Sequence, residues 1–208
     1  MGKNLTNIDH IKKIVYIHIP KTGGTTIEKI FFNKNSSSEH ITITEYSNYY
    51  DYFIFSFVRN PYTRIISVYN YFINGGNKSL GDKNIINRDV DINNFLKEYN
   101  ETNLKFLKTQ YSYLQDSKNI DFVGRYENFD NDLKQICNST NTNFIDVHYR
   151  VTPYKDYSIE PEFIDMISSI YDIDFIKFNY KKIKIDAKIS LAELNTLIQI
   201  SETNAPKR

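Results

Sequence analysis

The run Ile14-Val15-Tyr16-Ile17-His18-Ile19 is short and mostly β-branched, and Pro20 stops it, which is how a buried strand ends. Gly23-Gly24 and Thr25-Thr26 follow at once, and Ile27-Glu28-Lys29-Ile30-Phe31-Phe32 then places apolar residues at helical spacing. A strand that turns on paired glycines directly into a helix constrains the chain more than any bulk property. The turn uses glycine's conformational freedom, and the helix must return over the strand. The same unit makes a ligand site. N–H groups opening a helix have no preceding turn to bond, and together with the helix dipole they favour an anion. Lys21 adds a full charge, and the Thr25 and Thr26 hydroxyls add donors. The expectation is a phosphate- or sulfate-like group cradled by Lys21 and the backbone of Thr22, Gly23, Gly24, Thr25 and Thr26. An ATP or GTP loop of the G-x-x-x-x-G-K-[ST] type is disfavoured, because Lys21 precedes the glycines instead of following them.

The remaining chain alternates strands and helices. Ile41–Thr44 reads as a weak strand and Phe53–Val58 as a second buried strand ended by Asn60-Pro61, with a helix over Tyr62–Phe72. Helical stretches are predicted near Asn93–Tyr99 and Leu104–Leu114, a strand over Asp121–Gly124, and helices near Phe129–Asn138 and from Pro161 through Tyr171. Ser190 and Glu193 form a capping box before a final helix. Gly75–Arg88 is polar and contains glycine, so it reads as a loop and a candidate lid. This order predicts an α/β, P-loop-like three-layer fold: a central, mainly parallel sheet flanked by helices. At 208 residues the chain is expected to be one domain, with its core over about 14–180 and a C-terminal helical extension over about 188–201.

Composition narrows the function classes. With 26 basic against 25 acidic residues, the chain lacks the charge of a general nucleic-acid binder. A hydrophobic content of 40% supports a packed core. The single Cys137 excludes an intrachain disulfide framework. No apolar run approaches the ~20 residues of a membrane span, and the opening residues carry no secretory signal. The expected setting is cytoplasmic, or the Golgi lumen if the chain is truncated.

A second constellation is Phe57-Val58-Arg59-Asn60-Pro61, followed by Ser67 eight residues after Arg59. An Arg at a strand end and a Ser two turns into the next helix can reach one phosphate, although surface Arg and helix Ser are also ordinary on spacing alone. The two motifs together resemble the sulfotransferases that use 3′-phosphoadenosine 5′-phosphosulfate (PAPS), particularly the carbohydrate O-sulfotransferases related to heparan sulfate 2-O- and chondroitin sulfotransferases. Ile19–Thr26 resembles their 5′-phosphosulfate loop, and Arg59-Asn60-Pro61 with Ser67 resembles their 3′-phosphate motif, with Asn60 in place of the usual Asp. Val123–Phe129 and the Asp174-Phe175, Phe178-Asn179-Tyr180 ending resemble later family segments.

The resemblance implies transfer of a sulfonate from PAPS to a carbohydrate hydroxyl, with 3′,5′-ADP released and no metal required. It implies Lys21 and the loop amides at the developing charge on the leaving phosphate oxygen, and Arg59 with Ser67 on the 3′-phosphate. A histidine near neutrality suits the general base. His40 is chosen because related 2-O-sulfotransferases carry their proposed base in this interval, with Glu45 as second choice. His10 is expected at the surface, and His18 as a buried, satisfied side chain. Arg125, His148, Arg150 and Lys155 are candidates to line an acceptor groove. A protein-tyrosine or small-molecule acceptor, a non-catalytic relative that binds 3′,5′-ADP or a glycan, and a phosphotransferase remain as alternatives.

Overall fold

The computed structural model describes residues 5, 7–34, 40–76, 86–100, 102, 104–115, 118–146 and 155–203. The chain forms two compact units, Met1–Arg59 with Gln110–Val151, and Asn60–Thr109 with Thr152–Arg208.

The first unit is built on a sheet that has four strands among the described residues, in the order β1 (Ile8–Asp9), β2 (Ile14–Ile17), β3 (Phe53–Val58) and β4 (Phe122–Arg125). β2 pairs with β3 in parallel (Ile14 opposite Phe53), and β3 with β4 in parallel (Phe55 opposite Phe122). The short β1 pairs antiparallel with β2, so the sheet is mixed. Every residue of β2 is buried, which is why it reads as a continuous apolar run instead of an alternating one. One face of the sheet carries Ile14, Tyr16, Phe55 and Phe57. Against it pack Ile27 and Phe31 of α1 (Gly24–Phe32) and Phe129, Leu133, Ile136 and Cys137 of α5 (Phe129–Ser139). The crossover from β2 through α1 to β3 is the unit that delivers the loop after β2 to the end of the sheet.

Ile41–Thr44 is not a strand. Ile43–Tyr46 forms a 3-10 turn, in which the Thr42 and Thr44 hydroxyls bond each other at 2.7 Å and Glu45 N–H donates to the Thr42 carbonyl. Against this turn packs α4 (Tyr111–Leu114), a single turn of helix.

The second unit is mainly helical: α2 (Pro61–Ile73), α3 (Ile92–Tyr99), α6 (Pro161–Ile170), α7 (Asp172–Lys177) and α8 (Leu191–Thr203), with a small antiparallel pair of strands, β5 (Ser158–Ile159) and β6 (Ile189–Ser190). Pro61 takes the first helical position of α2, and the Asn60 side chain caps it by accepting from Tyr62 N–H at 3.1 Å. Ser190 and Glu193 close a reciprocal capping box. The helix expected across Leu104–Leu114 is interrupted. Residues Lys105–Leu107 form a 3-10 turn with extended backbone at Leu104 and Lys108, because the buried Arg64 guanidinium takes the Phe106 and Lys108 carbonyls, each at 2.9 Å. No helix among the described residues is long and apolar enough to cross a membrane.

Candidate active site

The loop after β2 is shaped by two positive backbone angles. Lys21 has φ 69° and Gly23 has φ 92°. For Lys21 the left-handed conformation costs roughly 1–2 kcal/mol, strain the loop holds in place of a glycine. The loop is locked from inside: Thr22 is fully buried and its hydroxyl donates to the Ile19 carbonyl at 2.9 Å. Thr22 therefore offers a ligand its backbone and not its side chain.

Both glycines are required by close approach. A Cβ on Gly23 would lie 2.5 Å from the Phe129 ring, and one on Gly24 would lie 1.9 Å from His18 Nε2. Gly23 is the N-cap of α1 and supplies no side-chain cap, while Thr26 N–H bonds the Gly23 carbonyl at 3.1 Å. The amides that open α1 at Gly24 and Thr25 have no preceding turn to bond, and Lys21 and Thr25 reach the surface of the loop. Backbone donors at a helix start and one ammonium beside them are groups that a small anion can use, while the rings of Phe129 and His18 fill the space where side chains of Gly23 and Gly24 would stand.

His40 joins the loop from the segment before the 3-10 turn. Its Nδ1–H donates to the His18 carbonyl at 3.1 Å, and the two imidazoles meet edge-on with centroids 4.4 Å apart. That bond fixes the hydrogen on Nδ1 and leaves the lone pair of a neutral ring on Nε2. His10 is exposed beside Tyr52 Oη, in the segment leading into β2, whereas the loop leaves the other end of that strand. Glu45 is exposed on the 3-10 turn.

Arg59 follows β3 and is buried. Its backbone is clamped by the buried Gln110, whose Oε1 accepts from Arg59 N–H and whose Nε2 donates to the Arg59 carbonyl, both at 2.8 Å. Its guanidinium lies over the Tyr126 ring, 4.1 Å from the centroid, and donates to the Lys21 carbonyl at 3.3 Å. The second motif thus supports the first directly. Arg59 holds the carbonyl of the strained lysine. Ser67 belongs to α2 of the second unit and is buried there.

Of the acceptor candidates, Arg125 is half-buried, with its N–H on Asp132 Oδ2, and Lys155 is exposed. His148, Arg150 and most of the expected lid, residues 77–85, lie outside the described residues. Among the described residues, no group of three His, Cys, Asp or Glu side chains is arranged to hold a metal.

Three neighbours escape sequence reasoning. Gln110 and Tyr126 meet Arg59 only through the fold. Glu28, fully buried, bonds His18 Nδ1 at 2.8 Å. A signal for Glu28 exists in its spacing, since it lies four residues after Gly24 and so shares that face of the helix.

The model of the Sulfotransferase family matches residues 4–181. Neither the curated proteins nor the solved structures contain a match to the chain. A match over that span makes the chain, with its strand–turn–helix loop braced by the arginine after the next strand, a member of the sulfotransferase family.

Proposed function

We propose that the protein transfers the sulfonate of PAPS to a hydroxyl of a carbohydrate acceptor and releases 3′,5′-ADP. The acceptor oxygen attacks sulfur, the bond from sulfur to the bridging phosphate oxygen breaks, and 3′,5′-ADP leaves with the electron pair. Charge grows on that oxygen, so donors already aimed at it carry most of the catalysis. Lys21 and the amides of Thr22 to Thr25 take this part, with the side chains of Thr25 and Thr26 as further candidates; the Thr26 N–H is held by the Gly23 carbonyl. Arg59 is assigned to the 3′-phosphate, the part the resemblance implies for it. His40 takes the acceptor proton on Nε2, a role its Nδ1 bond to the His18 carbonyl prepares.

The observation that carries the reading is the turn at Lys21–Gly24. Its left-handed lysine, its two glycines without room for a Cβ and its helix start are maintained at a cost that an ordinary connection does not need.

The test uses 3′,5′-ADP and PAPS. At a hundred times its Kd, 3′,5′-ADP stabilises the fold by about 2.7 kcal/mol, read as a raised Tm, and ATP with Mg²⁺ does not. Turnover of PAPS against a glycan panel is read by the mass shift of the product. Lys21→Ala keeps the fold, and kcat falls by about 10²–10³-fold. No stabilisation by 3′,5′-ADP, or full turnover in Lys21→Ala, defeats the assignment. Sulfation of peptide tyrosine with no glycan product moves the acceptor to protein.

A further inference from the structure

Beneath the turn lies a carboxylate that the transfer reaction leaves without a task. Glu28 projects from α1 with no solvent exposure, and a carboxylate in such a place is costly unless it is paired. Its partner is His18, whose Nδ1 lies 2.8 Å from Glu28 Oε1. With the carboxylate ionised, Nδ1 carries the hydrogen and Nε2 the lone pair. The ring is boxed by three further groups. Tyr16 stacks on it at 5.4 Å, His40 meets its edge at 4.4 Å, and Gly24 leaves the gap that Nε2 fills. Gly24 and Glu28 lie one helical turn apart, so a single face of α1 supplies both the space for the ring and the acceptor for its hydrogen. On its other side, the His18 carbonyl receives the Nδ1–H of His40.

We propose that Glu28 is a positioning residue of the transfer site, acting through His18 to hold His40 as the proton acceptor. The inference rests on the sulfonate-transfer reading. Held at Nδ1, the His18 ring cannot flip. The residue then presents a fixed carbonyl and a fixed ring edge to His40, whose own hydrogen is committed to that carbonyl and whose Nε2 carries the lone pair assigned to the acceptor proton. Without the carboxylate, His18 has no reason to keep its hydrogen on Nδ1. Placing the hydrogen on Nε2 sets it against the Gly24 backbone and loosens the contact with His40.

The experiment is Glu28→Gln in the full chain, a change that keeps the side-chain shape and removes the charge. Long-range ¹H–¹⁵N spectra report the tautomer of each of the four histidines, with His18→Gln and His40→Gln supplying assignments. In the wild type, His18 and His40 both carry hydrogen on Nδ1. In Glu28→Gln, His18 leaves that single form and the His40 signals move with it. kcat falls by about 10²-fold, the low end of what a positioned proton acceptor contributes. The KM for PAPS and the affinity for 3′,5′-ADP stay within about twofold, since the loop donors are untouched. A wild-type His18 with its hydrogen on Nε2 overturns the proposal, and so does a Glu28→Gln chain that loses thermal stability while the His40 signals and kcat stay unchanged. Should Glu28→Gln fail to fold, the wild-type tautomers decide. A chain inactive on every acceptor refutes sulfonate transfer, whereas the spectra judge the coupling from Glu28 to His40 separately, so the two failures are told apart.

Discussion

Gly24 is the residue on which the loop and the histidine pair both depend, and substituting it separates packing from chemistry. A Cβ there would sit 1.9 Å from His18 Nε2, and the ring is hemmed in by Tyr16 and His40 and bonded to Glu28. Gly24→Ala is therefore expected to destabilise the chain by about 1–3 kcal/mol through overpacking, and to displace His18 from Glu28. Urea unfolding reads the first effect and the His18 tautomer the second; an unchanged midpoint would show that the ring has room the structure denies. At this scale the sequence was legible where chemistry is local. Lys21, the glycines and the threonines stand together, so the turn can be read without its distant brace, Arg59. His18 was correctly expected as a buried, bonded side chain, but its partner Glu28 passed for an ordinary helix residue. For Arg59 the sequence offers a reach toward a phosphate shared with Ser67 and no protein partner. In the fold its guanidinium bonds the Lys21 carbonyl, with Gln110 orienting its backbone and Tyr126 stacked on its face.

Among the elements, the end of β3 is held in an unusual way. Gln110 accepts from Arg59 N–H and donates to the Arg59 carbonyl, reproducing with one side chain the pair of bonds a neighbouring strand would make. Gln110→Ala leaves both buried groups without that partner, at a cost of about 1–3 kcal/mol for each group left unsatisfied. It also frees the backbone that aims Arg59, so weaker binding of 3′,5′-ADP should accompany the loss in stability. Calorimetric titration of 3′,5′-ADP checks this, and full affinity in a destabilised variant would detach Arg59 from the ligand. Elements defined by their own residues were readable: β3 between its apolar run and Asn60-Pro61, and α8 from the Ser190–Glu193 box. Elements decided by distant groups were not. Alternation at Ile41–Thr44 promised a strand where Ile43–Tyr46 winds into a 3-10 turn, and the apolar spacing of Leu104–Leu114 was overridden by Arg64 drawing two carbonyls out of a helix. β1 is two residues long, too short to carry a period of its own.

For the whole molecule, the α/β class follows from alternating strands and helices. The division into two compact units left no mark in composition, because the chain passes from one to the other at Arg59-Asn60 without any change in polarity. What composition does imply is a response to alkali. The chain has 17 tyrosines, and in both units burial raises tyrosine hydroxyls above their ordinary range. Burial pushes Tyr69 up to about 12, with further contributions from Tyr157 and Asp91, while its hydroxyl donates to the Val90 carbonyl at 2.9 Å. Desolvation raises Tyr62 and Tyr157 as well. An unfolded tyrosine titrates near 10. Below about 10 both states keep their protons, and the contribution is fully present. Between about 10 and about 12 the unfolded chain releases protons that the native chain retains, so stability falls as pH rises through that window. The urea midpoint should hold to about pH 9.5 and drop steeply beyond it, while native phenolate absorbance lags behind that of the unfolded chain. Tyr69→Phe gives up its bond to Val90 and lowers the midpoint at neutral pH, yet flattens the alkaline slope because one of the late-titrating groups is gone. An equal slope in Tyr69→Phe and wild type would mean that Tyr69 titrates alike in the folded and unfolded chain, against the burial the structure gives it.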